Sequence, residues 1–398
     1  MNAKEIFFKH QSQITEKPIC LEVSHAKGIY IFDKQGKKYI DLVAGVSACT
    51  LGHSNKQIIQ SVSKQLSKYT HVMVYGEYIQ EPQIKLAKKL SDYLPKKLNC
   101  SYFVNSGTEA IEGAIKLAKR TTKKNEIIYC KDSYHGSTQG SLSYMGNEER
   151  KSNYRPLLPG GKMIRFNSIE DLKHITKNTA AVIIELIQSG SGFKIASKKW
   201  VKKIKNICVK NNTLLIFDEI QTCFGRTGKL FGFEKYNISP DILCIAKGMG
   251  GGMPIGSFIC STKIMSNLKK NPMLGHITTF GGHPVNCAAS LKTLEILTKT
   301  KILNQVIKKE KLFRKLLIHE EILKINGLGL MLGVEFKTKK MCDLVVKKCR
   351  KNGLLAFYFL FEQKSMRISP PLTITEKEIK KSCYIILKSI NESLESLS

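Results

Sequence analysis

Nowhere in its 398 residues does the chain hold the roughly 20 consecutive apolar residues that span a bilayer. A membrane-spanning protein is therefore not expected. The opening stretch "MNAKEIFFKHQSQ" has no apolar core or cleavage pattern, so a cytoplasmic location is expected. Acidic residues are scarce: 32 Asp and Glu stand against 64 Lys and Arg, a formal net charge of +32. Arginine is scarcer still, with eight in the whole chain. A positive excess can mark nucleic-acid binding, but base and phosphate readout leans on arginine. The lysines are also spread along the chain rather than gathered into an arm, so the charge reads as a solvated lysine-rich surface. Twelve cysteines occur, yet there is no C-x-x-C pair and no H-E-x-x-H. Neither a disulfide framework nor a zinc site is expected, and the thiols read as reduced core residues.

What is present is a globular composition, 42% hydrophobic and 24% charged. Short apolar runs read as buried strands: Tyr102–Val104, Ile127–Cys130, Ala180–Ile184, Leu214–Phe217, Ile242–Ala246 and Gly256–Cys260. Segments long enough for crossover helices separate most of them. Thr108–Thr121 spaces Ile111, Ala114, Ile115, Leu117 and Ala118 at helical intervals, and Ala196–Asn212 places Trp200, Ile204, Ile207 and Cys208 on one face. Alternating strands and helices imply an α/β fold with a mostly parallel central sheet covered by helices. The C-terminal third reads as helices with a strand at "LGLMLGVEF", a helix holding Val345 and Val346, then "MRISPPLTI" and a last amphipathic helix. "GIYIFDKQGKKYIDL" reads as a hairpin turning at Lys34–Gly36. The expected division is residues 1–48 as a segment of a smaller α+β domain, 49–285 as the large α/β domain, and 286–398 as the rest of the small one.

In open parallel sheets ligands sit at the carboxyl ends of the strands. "NSGTEA" follows one such strand, and Gly107 and Thr108 there could offer a helix N-terminus to a phosphate. Plain capping by Ser106 or Thr108 explains the same residues. Asp218 and Glu219 follow "LLIF", where adjacent side chains point to opposite faces. A buried carboxylate among them needs a cationic partner, and a helix cap is the alternative. Lys247 ends the run Ile242–Ala246 and precedes "GMGGG". A desolvated lysine with a lowered pKa is the residue type that condenses with carbonyl groups. A phosphate at Gly107 and Thr108, a ring nitrogen on Asp218 and an aldehyde on Lys247 together fit one ligand, pyridoxal 5′-phosphate. The glycines would leave room beside it.

Four blocks carry a family resemblance: "LLIFDEIQTCFGRTGKLFGFEKYNISPDILCIAKGMGGGMPIGSF", "FVNSGTEAIEGAIKLAK", "HITTFGGHPVNCAASL" and "MRISPPLTI". In family order, they resemble the class III pyridoxal-phosphate aminotransferases of fold type I, of the acetylornithine and ornithine type. The resemblance implies a large central sheet of the seven-stranded type and a homodimer with shared sites. It implies that Lys247 holds the cofactor aldehyde and moves the proton, while Asp218 pairs with the ring nitrogen. Gln221 would bond the ring's phenolic oxygen region, Gly107 and Thr108 the phosphate, and Tyr134 would stack on the ring. Thr279 would reach the phosphate of the neighbouring subunit, with Thr278 lining the substrate side. Glu185 and Arg367 would form a pair that opens so that Arg367 grips the α-carboxylate of glutamate.

Two departures bear on the amino donor. Such relatives read F-H-G-R where this chain has "YHGS", so Ser137 replaces an arginine that binds the donor's α-carboxylate. The loop E-P-x-Q-G-E-G-G is "ELIQSGSG" here, keeping Glu185 and Gln188. Arg155 and Arg226 are the scarce arginines expected to supply a substitute cation. The implied activity moves the terminal amino group of an ω-amino acid, first of all N-acetylornithine or a similar acylated diamino acid, to 2-oxoglutarate. An ornithine, other ω-amino acid or diamine transaminase is the alternative. A basic nucleic-acid-binding protein on an enzyme scaffold is the remote one; no nucleic-acid or membrane partner is expected.

Overall fold

The computed structural model describes residues 1–397. Seven strands form the central sheet: β1 (Cys100–Val104), β2 (Glu126–Cys130), β3 (Gly161–Ile164), β4 (Thr179–Glu185), β5 (Leu214–Asp218), β6 (Ile242–Ile245) and β7 (Gly256–Cys260). Their order is β1-β7-β6-β5-β4-β2-β3. β7 runs antiparallel to both neighbours and every other pairing is parallel. β4 and β6 are buried along their whole length, which is why their sequences run continuously aliphatic instead of alternating.

The helix Gly107–Thr122 buries Ala110, Ile111, Ala114, Ile115, Leu117 and Ala118 against β7, β6 and β4. Ser106 caps its first turn by accepting the Glu109 N–H at 3.3 Å. The helix Lys198–Lys210 packs against β5, with Trp200, Ile204 and Cys208 buried as spaced and Ile207 half-buried. β3 was not expected from the sequence. It is an edge strand with three exposed residues, Gly161, Lys162 and Met163, so its sequence lacks a core pattern.

The N-terminal hairpin pairs Tyr30–Asp33 with Lys38–Asp41 and turns where expected, with Asp33 Oδ1 accepting the Gln35 and Lys37 N–H groups at 3.1 and 2.8 Å. Leu354–Leu355 joins it in parallel from the far end of the chain. A further sheet runs Ile322–Gly327, Leu332–Phe336, Ser365–Ile368, Phe357–Tyr358. The expected strand over "LGLMLGVEF" is shorter. Leu328 donates its N–H to the Met331 carbonyl at 3.1 Å, making those first residues a hairpin turn after Ile322–Gly327.

Register brings the polar strand ends together. Asp218 sits opposite Glu185 on β4 and opposite Cys244 on β6. Lys247 follows β6 by two residues. Three ionisable groups thus meet at one edge of an otherwise apolar sheet.

Candidate active site

A cavity of about 480 Å³ opens at these strand ends. Lys247, Asp218, Glu185, Gln221, Gly107, Thr108, Tyr134 and Ser137 all line it. Sequence reasoning had picked each of them from separate segments.

Lys247 is mostly buried and adopts φ +47, in the left-handed region. That conformation costs a non-glycine residue about 1–2 kcal/mol, and it turns the chain sharply as β6 ends. Among the described residues its ammonium has no hydrogen-bond or ion-pair partner. Burial lowers its pKa from the ordinary 10.5, Asp218 opposes that shift, and the Arg367 charge adds to it. The glycines that follow do less than expected to make room. A Cβ on Gly248 would lie 2.4 Å from Thr50 Oγ1, and one on Gly251 would lie 2.2 Å from Thr293 Oγ1. They serve close packing, and within this run Gly252 lines the cavity.

Asp218 is 5% exposed. Its Oδ2 lies 2.7 Å from His135 Nδ1, and its Oδ1 accepts the Ile220 N–H at 3.0 Å. His135, which holds this carboxylate, is a residue that the sequence analysis did not single out. Its position after the end of β2, in "YHG", was the available signal. It is 1% exposed, and its Nε2 has no partner. Glu219 points away, as adjacency requires, and accepts the Gly232 and Phe233 N–H groups. Burial pushes its pKa up to about 7.

At the start of helix Gly107–Thr122, Thr108 Oγ1 lies 2.7 Å from Thr138 Oγ1 and 2.6 Å from Ser141 Oγ. The capping reading and the ligand reading therefore divide between residues: Ser106 caps, and Thr108 joins a hydroxyl cluster. Gly136, at φ +131, backs that cluster so closely that a Cβ would meet Thr108 Oγ1 at 2.2 Å. Gln221 donates its side-chain amide to Ser47 Oγ at 3.0 Å, and the Tyr134 and Ser137 hydroxyls are 3.2 Å apart.

The expected Glu185–Arg367 ion pair and the substitute arginines need correction. Glu185 and Arg367 make no ion pair. Ser189 stands between them: Glu185 Oε2 accepts its N–H at 2.8 Å, and Arg367 donates to its carbonyl at 2.8 Å. Glu185 also accepts the Tyr134 N–H at 2.9 Å. Burial raises the Glu185 pKa, and the neighbouring Asp218 charge adds to the rise. Arg367 is packed between the rings of Phe193 and Phe359, 5.1 and 4.8 Å from their centroids. Burial lowers its pKa to about 10. Thr278 bonds Asn105 Nδ2 at 2.9 Å but lines a neighbouring cavity, and Thr279 is exposed and lines neither. Arg226 is fully buried on the carbonyls of Ser369 and Pro370. Arg155 pairs with exposed Glu148. Neither lines the cavity, so neither substitutes at Ser137.

The fold that carries this site is that of the transaminases. Solved structures agree. A transaminase from the marine bacterium Virgibacillus superposes with a TM-score of 0.93 at 25% identity, covering 99% of each chain. An ornithine aminotransferase from Toxoplasma gondii, with partial occupancy of PLP at its active site, gives 0.92 at 27% identity over 99% of this chain and 94% of that one. Among curated proteins, the acetylornithine aminotransferase of Clostridium acetobutylicum is 37% identical over 379 residues, 92% of this chain and 95% of its own length. That of Methanocaldococcus jannaschii is 39% identical over 364 residues, 88% of each. The class III aminotransferase family model matches residues 12–390. The chain belongs to the class III aminotransferases.

Proposed function

We propose that this aminotransferase uses pyridoxal 5′-phosphate to move the terminal amino group of N-acetylornithine, or a similarly acylated diamino acid, to 2-oxoglutarate. The observation that carries this reading is the buried, unpaired Lys247 at the same sheet edge as the carboxylate of Asp218. The residues fit the cofactor. A side-chain-free approach at Gly107 and Gly252, a helix N-terminus with the Thr108, Thr138 and Ser141 hydroxyls, and the unpartnered His135 Nε2 form a polar cradle around an otherwise apolar cavity.

Bound pyridoxal phosphate supplies an aldehyde and a conjugated cationic ring that takes up electrons. Lys247 would hold the aldehyde end and move a proton at the substrate carbon that bears the amino group. Burial favours its neutral amine, the form that accepts a proton. Asp218 would keep a proton on the ring nitrogen, and His135 and the Ile220 N–H fix the carboxylate so that its charge is not spent on rearranging. Thr108 and the Gly107 backbone would hold the phosphate, and Gln221 and Tyr134 would hold the ring. Arg367 binds the α-carboxylate of glutamate once Ser189 and Glu185 yield.

The working unit in this reading is a homodimer in which Thr279 reaches the partner's phosphate. Two facts support it: Thr279 is exposed away from its own cavity, and large apolar side chains stand exposed nearby. Residues 1–48 and 286–398 form the small domain and 49–285 the large one, consistent with Leu354–Leu355 pairing beside Lys38–Asp41. No helix among the described residues is long and apolar enough to cross a membrane. Twelve unpaired cysteines fit a reducing compartment, the cytoplasm.

Ser137 leaves the donor's α-carboxylate without an arginine in the cavity. A screen of amino donors against 2-oxoglutarate tests the reading. Acetylornithine should exceed putrescine. Ser137→Arg should lower KM for acetylornithine about tenfold with kcat little changed, because a charge-assisted contact of about 1.5–3 kcal/mol serves ground and transition states alike. A carboxylate-free diamine turning over much better than acetylornithine overturns the donor assignment.

A further inference from the structure

Arg367 is a buried cation without a counterion. It is 5% exposed, and among the described residues no carboxylate comes within ion-pair distance of it. Its one hydrogen bond runs from Nη2 to the Ser189 carbonyl at 2.8 Å, while Nε and Nη1 have no partner. A buried guanidinium in that state is costly unless something else stabilises the charge. Two aromatic rings do so. The guanidinium carbon lies 5.1 Å from the centroid of the Phe193 ring and 4.8 Å from that of Phe359. The two rings meet edge to face, with centroids 4.8 Å apart at 87°. A ring face attracts a cation most strongly where water is excluded.

Several features of the chain serve this enclosure. Phe193, Phe359, Ile187 and Met331 form a small hydrophobic cluster of their own, separate from the two larger ones. Phe193 is fully buried at φ +58, a left-handed conformation that strains a bulky residue. Such strain persists only where the surroundings enforce it, and it gathers at functional sites. Gly333 sits across the strand pair from Arg367. A Cβ there would lie 3.2 Å from Phe359 Cζ and 2.6 Å from the Gly192 carbonyl oxygen, so the missing side chain lets both the ring and the loop close in. Glu185 is the carboxylate that could claim the cation, since its charge acts on Arg367. The Ser189 peptide separates them, giving its N–H to Glu185 and its carbonyl to Arg367.

We propose that Phe193 and Phe359 are positioning residues that hold the Arg367 guanidinium off Glu185, leaving it open to a carboxylate of the dicarboxylic acceptor. This rests on the reading of Arg367 as a carboxylate receptor. The rings stabilise the cation without occupying its N–H groups, whereas a carboxylate counterion would occupy two of them in a bidentate pair. An incoming carboxylate therefore meets free donors at Nε and Nη1, and no ion pair has to break first. Without the rings the guanidinium turns to Glu185, and the acceptor has to break that pair to bind.

Calorimetric titration of the pyridoxal-phosphate-loaded protein with glutarate, an unreactive dicarboxylate, reads the receptor without turnover. Phe359→Leu should weaken glutarate binding about tenfold, the scale of one desolvated cation–ring contact. Phe193→Leu should act in the same way, and either variant decides if the other does not fold. Glu185→Gln alone should change the affinity less than about twofold. Combined with Phe359→Leu it should return the affinity to near that of the unaltered protein, because the competing carboxylate is gone. A role in packing alone would not be rescued by a change at Glu185. Arg367→Met should abolish binding, and undiminished binding to that variant overturns the receptor reading itself. Binding lost in Arg367→Met but kept in full by the Phe359 and Phe193 variants overturns the positioning proposal. So does a loss in those variants that Glu185→Gln does not restore.

Discussion

Lys247 combines a left-handed backbone with an ammonium that burial disfavours and nothing nearby neutralises by contact. Both features cost stability, as expected where catalysis needs a basic amine. A lysine whose pKa is lowered in the fold binds fewer protons folded than unfolded. Its penalty is therefore full at low pH and fades as pH rises through the folded value toward 10.5. Lys247→Met, which fills similar volume without charge, should raise the melting temperature of the cofactor-free protein by about 1–3 °C at pH 7. The gain should shrink as pH nears 10, and activity should vanish. Differential scanning calorimetry across pH checks both parts. A Tm that falls, or a gain independent of pH, would show that the ammonium is not under strain.

At the scale of elements, the site depends on strand ends and helix starts meeting in register. Gly136 shows how little slack there is. Gly136→Ala adds a methyl at φ +131 and drives Thr108 and Ser141 aside. Cofactor affinity should drop at least about tenfold, the loss of one charge-assisted hydrogen bond, while far-UV circular dichroism stays unchanged. Retained affinity in a titration would remove the hydroxyl cluster from the phosphate site. This scale also shows what the sequence made legible. Runs such as "AAVIIE" and "ILCI" are buried on both faces, so their strands and the polar residues ending them stood out. β3 did not, because "GKMI" is an exposed edge. His135 did not either, because its partner Asp218 is 83 residues away and only the β2–β4–β5 pairings bring them together. Arg226 looked available as a scarce arginine. Packing had committed it to the Ser369 and Pro370 carbonyls, which no local pattern announces.

On the surface of the whole molecule, Ile79 is 88% exposed, Met273 79% and Phe280 54%, around a neighbouring cavity of about 730 Å³ that Ile79, Met273 and Thr278 line. Apolar surface of this kind, next to a threonine expected to serve a second site, fits burial by another copy of the chain. Sedimentation should show a dimer. Ile79→Asp with Met273→Glu should yield folded monomers that bind pyridoxal phosphate at least about tenfold more weakly, since each would lack the partner's Thr279 contact to the phosphate. A fully active monomer would sink the shared-site arrangement and leave the chemistry at Lys247 untouched.

That chemistry is open to one direct measurement. Borohydride reduction of the pyridoxal-phosphate-loaded protein fixes the cofactor covalently to the lysine that holds it, and peptide mapping reads the position. A single modified peptide containing Lys247, absent from Lys247→Met, is the predicted result. A cofactor fixed to any other lysine, or to none, would contradict the account.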